Sequence, residues 1–329
     1  DTLVAGKLTF PIVKAGTADV QTAVPTGSGD YEHLEGKLIS LANSEKQIYL
    51  CSVSTRDSVE DALKIGTSDV FFSNMSNCNY TGASGNTQSV LLNNMVYLGL
   101  NSSRGALNKY IRSAIAAKID SDEIVLSSYQ GHAVASKLPV NPESAVYKEI
   151  TQIATNGDKN LADNIIDRCG YTRYSGKAKT NGAYLLSFTL IVNKDNKYRV
   201  AAAYNIADSL AECGFYINVQ ALGFADYKER ITSGNYDMYL GEVNLDGSMD
   251  LSQFFVEGGT LSAGINKTDR AVTEYYNYRA GKITAQEYYE IFAEEYPFVP
   301  VVFRTGYVIS SDDIKIDLKQ MPYSLYNGI

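Results

Sequence analysis

The chain has 329 residues, 45% of them hydrophobic and 20% charged, which is apolar enough for real cores and long enough for two lobes or domains. Lys and Arg number 29 against 37 Asp and Glu, a net charge of −8, and an acidic chain without a basic run is a poor partner for nucleic acid or an anionic membrane. A mean hydropathy of −0.17, with no long uncharged apolar run, argues against a membrane-spanning helix.

In chain order, the first part reads as strands. Residues 8–13 form a short apolar run, Pro25-Thr26-Gly27-Ser28-Gly29-Asp30-Tyr31 is a turn, and 37–42 and Gln47–Val53 are two further strands. Val59, Ala62 and Leu63 give 58–65 a helical spacing that Gly66 stops. Residues 73–89, rich in Ser, Asn, Gly and Thr, read as a loop, and 96–100 as a strand. Ile111, Ala114, Ile115 and Ile119 place one apolar face on a helix over 108–118.

The clearest pattern follows. A helix over 161–169 is capped by Gly170, 185–192 is a β-rich run, and a helix over 198–213 carries a stripe of Val200, Ala203, Ala207 and Leu210 before Gly214. Phe215, Ile217 and Val219 alternate as a strand. Phe224, Tyr227 and Ile231 mark a helix ended by Gly234, and 236–241 is a third strand. Strand, helix, strand, helix, strand predicts a parallel α/β sheet. A helix then precedes Gly281, Thr284 N-caps Ala285–Glu295, and a closing strand over 298–304 is broken by Pro300.

The chemistry is sparse. His33 and His132 are the two histidines, far apart, so the usual general base and metal ligand is almost absent. Cys51, Cys78, Cys169 and Cys213 contain no Cys-x-x-Cys and read as small buried residues rather than a zinc site or disulfides. Trp is absent while Tyr numbers 25; most tyrosines belong at core edges, and some suit a surface that grips polar ligands. Gly27-Ser28-Gly29 lacks the Lys of a phosphate loop, and 246–250 lacks the spacing of a calcium loop, with Phe255 where the bidentate acid is needed. No serine nucleophile with a histidine partner stands out in the sequence, and enzyme signals are weak throughout.

One place has a physical argument for binding. Ligands of open α/β sheets sit beyond the carboxyl ends of the strands, and the third strand runs from Gly241 into Glu242-Val243-Asn244-Leu245-Asp246. A carboxylate there can accept charge-assisted hydrogen bonds from a ligand ammonium group. The alternative is a loop Asp capping a turn made with Gly247.

An ordered series of segments resembles the family 5 extracellular solute-binding proteins, the peptide-binding components of ABC importers. The 25–31 turn is similar to their Pro-Thr-Gly-Thr-Gly-Pro-Tyr. Ala62-Leu63-Lys64-Ile65-Gly66 to Asp69-Val70 resembles their Ala-Leu…Gly…Asp-Val element. Residues 97–101 with Ile111-Arg112-Ser113-Ala114-Ile115 and Ala117-Lys118-Ile119-Asp120 resemble Leu-x-Phe-Asn…Val-Arg-x-Ala…Ala-Ile-Asp-Arg. Residues 204–214 with Ile217-Asn218-Val219, and 224–237, match two further units.

The resemblance implies a periplasmic-binding-protein-like α/β fold of two lobes (type II, class C). A partial large lobe would span 1–139, a complete second lobe 140–262, and 263–329 would return to the large lobe. Because the 25–31 turn lies well inside family sequences, the chain is expected to lack an N-terminal part, and Asp1 marks it as processed or trimmed.

The function implied is capture of peptides or similar solutes by hinge closure, for ABC permease subunits, without catalysis or cofactor. The location implied is extracellular, lipid-anchored or periplasmic. A ligand sensor and, behind it, a hydrolase are the rivals. The family's Gly-Trp-x-x-Asp loop, whose Asp takes the peptide amino terminus, is matched best by Asp246 and next by Asp250, with Glu242 in place of the Trp and Asn244 between. The scarcity of His argues against haem or nickel as ligand.

Overall fold

The structure, a computed structural model, describes residues 20–25, 38–40, 47–53, 61, 64–65, 69–73, 86–150, 153 and 159–310. The strand expected over 8–13 lies outside these residues, and the turn over 25–31 and the helix over 58–65 lie largely outside them. No helix among the described residues is long and apolar enough to cross a membrane. The chain divides into two compact units, 1–92 with 305–329, and 93–304.

In the first unit the strands are β1 (Val20–Pro25), β2 (Leu38–Ser40), β3 (Gln47–Val53) and β4 (Val70–Ser73). β1 lies parallel between β3 and β4, pairing Val20 with Ile48 and Thr22 with Val70. β2 closes antiparallel on β3, and Tyr307–Ser310 run antiparallel to β4. β2 and β3 fall where the apolar runs predict. β1 is an addition, because Gln21 and Thr22 interrupt its apolar pattern.

The second unit begins in β5 (Asn86–Leu100), which is far longer than the strand expected over 96–100 and takes in the end of the expected loop. Residues 95–100 are buried, as an apolar run in a central strand should be. Helix α1 (Lys109–Lys118) starts at Asn108, whose side chain accepts from the Tyr110 and Ile111 amides. The unpredicted α2 (Ser121–Ser127) is capped by Asp120, and β6 (Ala133–Ala135) follows. Next come α3 (Ala145–Lys148), α4 (Lys159–Arg168) and a hairpin of β7 (Arg173–Ser175) and β8 (Ala178–Thr180).

The predicted alternation is present as β9 (Ser187–Asn193), α5 (Lys197–Ala211), β10 (Tyr216–Leu222), α6 (Phe224–Thr232) and β11 (Met238–Asn244). Gly170 and Gly214, at φ +82° and +96°, end α4 and α5 in the left-handed region that favours glycine. β10 and β11 both lie parallel to β9. Two details depart from expectation. β11 does not end at Gly241: it pairs with β9 over only Met238–Leu240 but antiparallel with β5 along its whole length, so 242–244 are strand, not loop.

After α7 (Ser252–Phe255), α8 (Arg270–Arg279) and α9 (Ala285–Glu295), β12 (Phe298–Ser310) runs straight through Pro300. A proline lacks only its own N–H, so a strand continues where that bond is not needed. Thr284 and Glu287 form the full capping box of α9.

Half of the described tyrosines are buried in the core. Tyr97 packs edge-on against Tyr239, Phe254 and Phe298, with centroids 5.6, 4.9 and 5.5 Å away, and Phe254 stacks on Phe298 at 4.2 Å. Some hydroxyls are engaged inside: Tyr97 with Tyr239 at 3.0 Å, Tyr227 to the Leu240 carbonyl at 2.9 Å, Tyr236 to the Ala263 carbonyl at 2.6 Å. Each such ring contributes about 1.5–3 kcal/mol through burial.

Arg112, 1% exposed, is a second organising point. Its Nε donates to the Glu295 and Tyr296 carbonyls and its Nη1 to the Leu107 carbonyl, each at 3.0 Å, while Nη2 pairs with Asp269 at 2.5 Å. Cys169 and Cys213 are free thiols, and burial pushes that of Cys213 up to about 11.

Candidate binding site

β11 and the loop after it carry all four residues singled out in the sequence, but they do not gather at one point. Glu242 belongs to a polar cluster across four elements. Its Oε1 accepts from Arg304 Nε of β12 at 2.8 Å and Asn94 Nδ2 of β5 at 2.9 Å; Arg304 Nη2 is 2.7 Å away. Arg199, in the first turn of α5, brings Nε to 3.9 Å from Oε2. Arg304 is 4% exposed and the Glu242 side chain 12%, so these charges are largely out of water and require each other. Replacing Glu242 with Gln should therefore lower stability by roughly 1.5–3 kcal/mol. Urea unfolding without any solute checks this, and an unchanged midpoint would refute it.

Asn244 ends β11 opposite Asn94, with an exposed side chain. Asp246 is exposed in the following loop. Its Oδ1 accepts from the Ser248 amide at 2.9 Å, the Ser248 hydroxyl at 2.8 Å and the Asp250 amide at 3.1 Å. The capping alternative thus accounts for one oxygen, though through Ser248 and Asp250 rather than Gly247. The other oxygen, Oδ2, has no partner among the described residues.

Asp250 is engaged on both oxygens. Oδ2 accepts from the Ser252 hydroxyl at 2.6 Å and Oδ1 from the Ser252 amide at 3.3 Å. The Tyr275 hydroxyl and the Arg279 guanidinium, both on α8, also donate to Oδ1. Burial pushes this carboxyl up, but the bonds from Ser252 and Tyr275 and the charge of Arg279 outweigh it, and it ends below the ordinary carboxylate range. An acid with a lowered folded pKa stabilises the fold above its unfolded pKa of about 3.9, and that contribution disappears as pH falls through its folded value. Acid unfolding of Asp250→Asn should accordingly show a shallower loss of stability below about pH 4 than the parent chain; parallel curves would contradict it.

Sequence reading passed over Asn94, Arg199, Arg304, Tyr275 and Arg279. A signal existed for one of them: Arg304 is a lone charge in the apolar run Phe298-Val299-Pro300-Val301-Val302-Phe303, which implies a buried partner. Among the described residues no cluster of three or more His, Cys, Asp or Glu is placed to hold a metal.

Residues 51–262 match the family described as bacterial extracellular solute-binding proteins, family 5 Middle. No curated protein matches the sequence. The oligopeptide-binding protein AppA from Bacillus subtilis, solved with a nonapeptide, is 18% identical, with a TM-score of 0.66 over 86% of this chain and 59% of that one. NikA from Brucella suis, solved with Fe(III)-EDTA, is 17% identical at a TM-score of 0.66, over 85% and 61%. A nickel ABC transporter protein from Bacillus halodurans is 12% identical at a TM-score of 0.69, over 87% and 62%. These likenesses show a shared α/β fold, and the chain spans about three fifths of the length of each of these proteins.

Proposed function

This chain belongs to the bacterial extracellular solute-binding proteins of family 5, and from that membership we propose that it captures peptides or similar solutes for an ABC importer. The reading includes delivery to permease subunits in the membrane and a place outside the cytoplasmic membrane, by lipid anchor or in a periplasm. It also keeps the lobe division expected from the sequence, with a second lobe over 140–262. The work is binding and release, without covalent chemistry.

The observation that carries the peptide reading is Asp246. It follows the strand at the position that resembles the family's ammonium-binding Asp, it is exposed, and one carboxylate oxygen is held by its own loop while the other is open among the described residues. An ammonium group meeting that oxygen makes a charge-assisted bond. Asn244 and Glu242 precede it on β11, and Asp250 closes the loop.

The test is mass spectrometry of small molecules carried through purification by the full-length protein, followed by affinity measurement for the peptides recovered. Asp246→Asn should weaken that affinity by roughly 1.5–3 kcal/mol. Recovery of cleaved peptides, or unchanged affinity in the variant, would refute the binding reading or the role of Asp246 respectively.

A further inference from the structure

We infer that Asp250 is a positioning residue: with Tyr275 and Arg279 of α8 it fixes the loop so that Asp246 presents one open carboxylate oxygen to a solute with a free amino terminus. The inference rests on the reading of Asp246 just given and deepens it.

Three observations converge. First, both oxygens of Asp250 are engaged by this chain's own groups: the Ser252 hydroxyl bonds Oδ2, and the Ser252 amide, Tyr275 and Arg279 converge on Oδ1. A carboxylate tied to its neighbours and to α8 in this way is well suited to fix its own backbone. Second, that backbone acts directly on Asp246, since the Asp250 amide donates to Asp246 Oδ1 at 3.1 Å.

Third, the residue between them is strained. Met249 has φ +55°, in the left-handed region, yet it is 1% exposed and not glycine. Such a conformation persists only where the surroundings over-determine it. The Asn141 amide on Met249 Sδ at 3.4 Å and the Met249 amide on the Asp246 carbonyl at 3.1 Å hold one side. The Asp250 pairing to α8 holds the other. Arg279 also offsets the repulsion between two carboxylates four residues apart. A loop ordered before the solute arrives loses less freedom on binding.

The experiment uses the full-length protein, dialysed against a pool of tri- to pentapeptides, half of them N-acetylated, with retained species quantified by mass spectrometry. Wild type, D246N, D250N, R279Q and the D246N/R279Q double variant are compared. Arg279 is half exposed and Asp250 is not, so R279Q disturbs the fold less than D250N, and the unfolding midpoint of each variant is recorded alongside.

R279Q and D250N should each retain free-amine peptides roughly ten-fold less well. N-acetylated peptides should bind every protein equally weakly, and R279Q should add nothing in the D246N background. If R279Q and D250N match wild type while D246N is weakened, the positioning role is overturned. Additive losses in the double variant overturn it too, since independent residues do not act through one another. A D246N protein that binds as wild type, or a wild type that retains no peptide, overturns the reading of Asp246 and the inference with it.

Discussion

Replacing Arg112 with Met should lower the unfolding free energy by about 3–5 kcal/mol, the usual cost of removing one partner from a buried charged network. The guanidinium fork is the reason. Three carbonyls, of Leu107, Glu295 and Tyr296, accept from Nε and Nη1, and Asp269 from Nη2. A methionine fills most of the volume but donates nothing, so the Leu107 carbonyl loses the Arg112 bond and Asp269 its cation. Glu295 is tied in as well, because its Oε2 accepts from the Ala271 amide at the start of α8. Arg112→Lys should recover only part of the loss, since one ammonium cannot reproduce a planar fork aimed at separate acceptors. Urea unfolding of the three proteins checks this ranking, and a methionine variant within about 1 kcal/mol of the parent would contradict it.

Gly99→Ala should destabilise by about 3 kcal/mol, at the upper end of the cost of forcing a methyl group into a packed core. Gly99 on β5 lies opposite Tyr239 on β11, and a Cβ built at Gly99 would sit 2.1 Å from Tyr239 Cε1. The ring covers the glycine and has nowhere to go. Tyr97 and Tyr236 pack against it with centroids 5.6 and 4.9 Å away, and its hydroxyl bonds to that of Tyr97. Relief therefore comes from separating the two strands, which disturbs the register that sets Glu242 against Val96 and leads into the Asp246 loop. The double variant Gly99→Ala/Tyr239→Leu should recover stability relative to Gly99→Ala alone, which denaturation measures directly. No recovery would mean the ring is not the obstacle.

Parts of this protein were legible one segment at a time. The apolar stripe of α5, the Thr284–Glu287 capping box of α9 and the glycines after α4 and α5 are decided within three or four residues. Each signal lies where the sequence can show it. The order β9, α5, β10, α6, β11 follows from them, and with it the parallel pairing of β9, β10 and β11.

The site was legible only as a place. Asp246 could be named because it follows a strand, and its capping alternative could be named because Asp caps turns; the structure shows the capping bonds on one oxygen, and the ligand role stays a proposal. What Glu242 and Asp250 do could not be read, because their partners are remote in the chain. Asn94 is 148 positions from Glu242, Arg304 is 62 and Arg279 is 29 from Asp250.

The sequence by itself determined the longer helices, the alternation and the family, because periodicity, caps and ordered motifs are local. Only the tertiary structure decided that β11 turns to an antiparallel neighbour in β5 and runs on past Gly241. That pairing is chosen by the edge each strand presents after folding, a property no window of neighbouring residues contains. The same step converts Glu242 from an end-of-strand carboxylate into the counter-charge of a buried arginine, while the packing of α8 supplies the partners of Asp250.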